Sequence, residues 1–167
     1  MLKPYRVPPP DQRRIFGYLN AGVRGVISAY RRQIIKKGFV ANLEAETLAN
    51  SDFRRVLYTG KYSQLVLMRL KPKEEIGEET HDDVDQFFRF EEGEGAVIID
   101  GVKHKVTYGS GVIVPSGALH NVVNTSRTKD LKLYTIYSPP EHMDRVVRKT
   151  RQEAGAKPEH YRGRTTE

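Results

Sequence analysis

Through the first part of the chain, apolar residues recur at three- and four-residue steps: Ile15, Phe16, Leu19, Val23, Val26, Ile27, Tyr30 and Ile34. This spacing predicts an amphipathic helix with Asp11 as its N-cap and Gly38 as its stop. Residues 1–10, containing Pro8-Pro9-Pro10, are expected to be extended. Gly17, Gly22 and Gly25 each weaken the helix by roughly 1 kcal/mol relative to alanine, so it needs a surface to lie on or breaks near Asn20 to Gly22.

From Phe53 onward the period changes to that of strands. Short apolar or alternating stretches fall at 53–60, 65–70, 86–90, 96–99, 103–107, 112–114, 121–123 and 131–137, each punctuated by glycine, proline or a charged turn. Asp100-Gly101 is a strong signal for a tight two-residue hairpin. Val112, Ile113 and Val114 read as a buried strand broken by Pro115 and Gly117. Evenly spaced short strands predict an all-β sandwich or barrel. Three segments follow: a basic, partly helical extension over 1–40, a barrel over 41–142, and a C-terminal helix and tail over 143–167. Within the last, a short helix is expected at 144–154 and a mobile tail from Gly155.

Composition narrows the chemistry. The chain has 167 residues and no cysteine, which rules out disulfides, thiolate zinc sites and thiol catalysis. No apolar run approaches membrane-spanning length and no signal-peptide core follows the N-terminus, so a cytoplasmic location is expected. No Ser-His-Asp signature is present. Gly93-Glu94-Gly95 lies between strands and lacks the helix that a phosphate loop requires.

The net charge of +7 is uneven. Residues 1–40 carry nine basic residues against one acid, Asp11, whereas 71–100 carry eleven acids against Lys71, Lys73 and Arg89. A cationic amphipathic segment can bind nucleic acid, an anionic membrane surface or an acidic partner. It can equally lay its apolar stripe on a neighbouring subunit while its lysines and arginines stay solvated, and that reading is preferred.

Candidate site chemistry lies in two stretches. Glu79 and His81 are two apart and leave the same face of an extended chain, and Gln86, Phe88 and Phe90 share another such face. The second stretch, from Gly109 to Asn124, reads GSGVIVPSGALHNVVN and places His120 just after a rigid turn. On the residues alone, His81 among Glu78, Glu79, Asp82, Asp83 and Asp85 also fits a solvated loop histidine, and His120 a satisfied core histidine.

The spacing Gly109-x5-Pro115-x-Gly117-x2-His120-x3-Asn124 is that of the second cupin motif, with every specified position filled. Upstream, Gly93 counts back to Gln86 where the cupins have glutamate, to His81 at their second histidine and to Glu79 at their first. From about Leu65 to His142 the chain resembles small single-domain cupins of the mannose-6-phosphate isomerase-like type. The resemblance implies a double-stranded β-helix (a jelly-roll barrel), frequent dimerisation, and one divalent metal ion held by Glu79, His81, Gln86 and His120.

Mn, Fe, Zn and Ni all suit such a mixed nitrogen and oxygen set. An amide at Gln86 leaves the set one negative charge rather than two, which weakens affinity and raises the Lewis acidity of the ion. Phe88 and Phe90 are expected to wall the substrate site. Two functions follow: binding or conversion of a small oxygenated molecule, sugar- or keto-acid-like, by a metal-dependent isomerase or dioxygenase; or a non-catalytic assembly cupin whose basic N-terminal segment serves oligomerisation or an anionic partner.

Overall fold

A computed structural model describes residues 36–167. The helix expected over 11–38 and its basic face lie almost wholly outside the described residues. Among the described residues the order begins with helix α1 (Leu43–Ala49), followed by β1 (Arg54–Thr59), β2 (Gln64–Leu70), β3 (Asp85–Glu92), β4 (Glu94–Ile99), β5 (Val102–Thr107), β6 (Gly111–Val114), β7 (His120–Asn124), β8 (Leu131–Ser138), β9 (Val147–Arg148) and helix α2 (Arg151–Ala156). One sheet runs β6-β3-β8-β2-β1-β9 and the other β5-β4-β7. The strand pairs are antiparallel.

The inward face of each strand carries the residues that the two-residue period selects. Val66, Met68 and Leu70 of β2 meet Leu131 and Leu133 of β8, Phe88 and Phe90 of β3, and Val97 and Val122 from the opposite sheet. All of these are buried, which is the main source of stability for such a barrel. The hairpin at Asp100-Gly101 forms as expected, with φ of 46° and 80°, the left-handed pair that such a turn requires. At the β3–β4 bend Gly93 has φ +87°, and a Cβ there would overlap the Asp130 carbonyl oxygen.

Three expectations need correction. The run Val112 to Val114 is not a buried strand: β6 is the sheet edge, only Val114 is buried, and Ile113 is 70% exposed. A short apolar run has no periodicity to separate an edge strand from a central one. The span expected as barrel over 41–142 does not open on a strand: α1, Leu43–Ala49, comes first. Asn42 caps it by accepting from the Ala45 amide at 3.1 Å, and it packs on the outer face of the larger sheet against β8, β3 and β2.

The third correction concerns the C-terminal region. The helix covers Arg151–Ala156 rather than 144–154, because Val147–Arg148 pairs with β1. The tail is not loose either. Tyr161 N donates to Glu141 O at 2.7 Å, Thr166 N to Thr59 O at 2.9 Å, and Thr59 N to Thr166 Oγ1 at 2.8 Å. Backbone pairing with distant residues holds it, which composition does not reveal.

Candidate metal centre

Two turns and one strand end build the site. The Pro115-Ser116-Gly117 turn places Gly117 at φ +81°, and its amide donates to the His81 carbonyl at 2.8 Å. The second motif therefore grips the backbone of the first. At the far end of β7, the buried Asn124 amide donates to the carbonyls of Leu70, Lys71 and Lys129 at 2.8–3.0 Å and accepts from Ser126 N at 2.9 Å. These bonds fix β7 at both ends.

Residues 74–81 run antiparallel beside β7, with bridges Glu75↔Val123 and Glu79↔His120. Directly paired residues project to the same face, so Glu79 and His120 point together, and His81 joins them two residues on. Gln86 opens the inward face of β3 opposite Tyr137 of β8. One ligand atom each from Glu79, His81 and His120 lies within 4.8 Å of the others. Gln86 Oε1 stands 2.9 Å from His120 Nε2. The structure thus brings all four sequence-selected residues together.

The contacts around these groups suit a cation. His120 Nδ1 lies 3.1 Å from the Ala118 carbonyl and Nε2 lies 2.9 Å from Gln86 Oε1, so both ring nitrogens face oxygens that only accept, and a neutral ring leaves one of the two contacts without a proton. An ion between Nε2 and Oε1 would resolve this, with Nδ1–H donating to Ala118. His81 Nε2 is buried with no hydrogen-bond partner; Glu79 Oε2 is 3.5 Å away. An orphaned imidazole nitrogen beside a carboxylate and a second imidazole fits a divalent ion of the imidazole-accepting group.

Electrostatics follow from the same neighbours. The Glu79 carboxylate beside the ring raises the His81 pKa above 6.5, although partial burial opposes it. Tyr137, edge-on to His81 at 5.8 Å, has its phenol pushed well above its usual range by burial and then by Glu79, so it stays protonated. Burial, followed by the Arg54 charge, holds His142 well below 6.5 and therefore neutral.

Above the group opens a cavity of about 800 Å³ lined by Glu79, His81, Arg54, Glu141, His142 and Arg151 among others. Phe88 and Phe90 do not line it. Both are 0% exposed, Phe88 lying 6.2 Å from the His120 ring and Phe90 stacked on Phe88 at 6.4 Å, beneath the site as its floor. Sequence reasoning missed Arg54, Tyr137, Glu141 and His142 as site residues. The only signal was the Pro139-Pro140 pair that ends β8 and turns Glu141 and His142 back over the barrel. Arg54 enters from β1, far away in sequence.

A two-sheet barrel that carries a histidine–carboxylate group just inside its mouth defines the class: a double-stranded β-helix with a candidate metal centre. Residues 66–137 match the family model described as "Cupin domain". A protein of Acanthamoeba polyphaga mimivirus is 44% identical over 121 residues, covering 70% of this chain and 75% of that protein. YrkC of Bacillus subtilis is 43% identical over 126 residues, covering 72% and 67%. The crystal structure of BH2720 from Bacillus halodurans superposes with a TM-score of 0.70 at 41% identity, covering 71% of this chain and 94% of that one. The chain belongs to the cupin family. Among the described residues no helix is long and apolar enough to cross a membrane.

Proposed function

We propose that this cupin holds one divalent cation through Glu79, His81, Gln86 and His120, and binds or converts a small oxygenated, sugar- or keto-acid-like molecule in the cavity above it. The observation that carries this reading is the buried, unbonded His81 Nε2 beside a carboxylate and a second imidazole. When bound, the ion supplies Lewis-acid polarisation of a carbonyl or hydroxyl oxygen.

The chain's own groups do the rest. The Ala118 carbonyl would hold the Nδ1–H tautomer of His120 once Nε2 faces the ion, and Thr135 orients Gln86 by accepting its Nε2–H at 3.1 Å. Tyr137 stays a proton donor in this environment, and Glu141, 3.8 Å from His81 Nδ1, steadies the outer edge of that ring. Dimerisation and a cytoplasmic site of action belong to the same proposal and rest on the sequence alone, as does the preference for packing residues 1–40 on a neighbouring subunit over an anionic partner.

Metal analysis of the purified protein beside a His120→Ala variant tests it. The wild type is expected to carry a near-stoichiometric divalent ion and the variant to lose it. Equal metal content in the two proteins would remove the reading.

A further inference from the structure

Beyond α2 the C-terminal segment brings a buried carboxylate to the barrel mouth that the metal chemistry does not use. Glu159, whose side chain is 3% exposed, reaches in from beyond α2. Its Oε2 accepts from Arg148 NH2 at 2.7 Å. Its Oε1 lies 3.6 Å from Arg54 NH1 and 4.0 Å from His142 Nδ1. Arg54 in turn donates through NH1 to His142 Nδ1 at 2.9 Å.

The fit is poor in a specific way. Arg54 Nε, Arg148 Nε and Glu159 Oε1 are all buried and without a hydrogen bond. A guanidinium pairs best with a carboxylate through two parallel N–H···O bonds, and leaving such donors unmade in a buried setting is costly. Glu159 satisfies Arg148 but stops short of Arg54, because its backbone is tied on the C-terminal side by the Tyr161–Glu141 and Thr166–Thr59 bonds. A free carboxylate carries no such tether and can face Arg54 squarely. Arg54, His142 and Glu159 line the same cavity as Glu79 and His81, whereas Arg148 meets Glu159 without lining it, so the carboxylate position borders the mouth.

We propose that Arg54, His142 and Arg148 form an anion subsite in the barrel mouth, that the chain's own Glu159 occupies it here, and that a small carboxylate-bearing molecule takes the place of Glu159. The subsite stands apart from the candidate ion and does not depend on it.

The test uses full-length protein stripped of metal with a chelator, so that a failure of the metal reading does not affect it. A Glu159→Ala variant is titrated with sodium acetate, with sodium chloride at matched ionic strength as control. Acetate is expected to raise the melting temperature of the variant saturably and to shift the His142 imidazole resonances; chloride and an Arg54→Gln, Glu159→Ala double variant should show neither effect. In parallel, malonate is expected to bind the isosteric Glu159→Gln variant at least tenfold more tightly than the wild type, where it must displace the tethered carboxylate. A Glu159→Ala protein that folds only in acetate supports the proposal, and one that stays unfolded in acetate counts against it. Malonate binding that is equal in wild type and Glu159→Gln, or stabilisation by acetate that survives loss of Arg54, overturns it.

Discussion

Glu79 and His120, 41 positions apart, exchange backbone hydrogen bonds at 2.9 Å in both directions. This closed antiparallel bridge puts a carboxylate and an imidazole on one face without help from either side chain. The first motif's edge and the second motif's strand are thus locked in register before any ligand arrives, which lowers the entropy cost of assembling a site.

The single charge of the ligand set is open to test at Gln86. Gln86→Glu restores a second carboxylate beside His120 and is expected to tighten divalent-ion binding roughly tenfold, about 1.4 kcal/mol. The ion-free variant should be less stable than wild type, because the new carboxylate is buried without a partner cation. Isothermal titration of both proteins with Mn or Zn checks this. An unchanged affinity would place Gln86 outside the coordination shell.

Proton competition at His81 sets a pH dependence. The raised pKa means that an ion must displace a proton from His81 at pH values above 6.5 as well as below. Metal affinity should therefore keep rising with pH beyond 6.5 rather than levelling there. In the ion-free protein the sign reverses: the folded state binds this proton more tightly than the unfolded one, so the contribution to stability is full below 6.5 and is lost as pH climbs through the folded pKa. Metal titrations over a pH series, with imidazole NMR on the stripped protein, follow both effects. A His81 that titrates below 6.5 would contradict the assignment.

His142 acts in the opposite sense. It is neutral when folded and gains a proton when unfolded below 6.5, so it costs stability progressively as pH falls from 6.5 toward its depressed folded value. His142→Gln should flatten that acid-side loss, measured as the difference in urea midpoint between pH 7 and pH 5. An acid sensitivity identical to wild type would show that the loss originates elsewhere.

Scaffold and site should separate at Asn124. Asn124→Leu removes an amide that donates to three carbonyls and accepts one amide, leaving buried backbone groups unpaired. The expected cost is about 3 kcal/mol or more by chemical denaturation. Ion binding by the folded fraction is expected to weaken much less than in His120→Ala. A variant as stable as wild type would mean that water replaces the lost bonds.

Gly93 tolerates no side chain. Gly93→Ala meets both a left-handed φ and overlap with the Asp130 carbonyl, and it should fail to give folded protein at 37 °C. Normal yield and an unchanged melting temperature would show that the β3–β4 bend can shift.

The sequence by itself determined most of the strands, the Asp100-Gly101 hairpin and the inward face of Gln86, Phe88 and Phe90, which follow from local rules: a two-residue period and turn residues with forced φ. Glu79, His81, Gln86 and His120 were marked by motif spacing that resembles the cupins, and the long-range bridge between Glu79 and His120 is what brings the two motifs together. Tertiary structure decided that β6 is an edge, that Phe88 and Phe90 form a floor rather than a cavity wall, and that the tail packs on the barrel. It also brought Arg54, His142 and Glu159 together. Those outcomes depend on contacts between residues tens of positions apart, where neither periodicity nor composition carries a signal and only the closing of the two sheets sets what touches what.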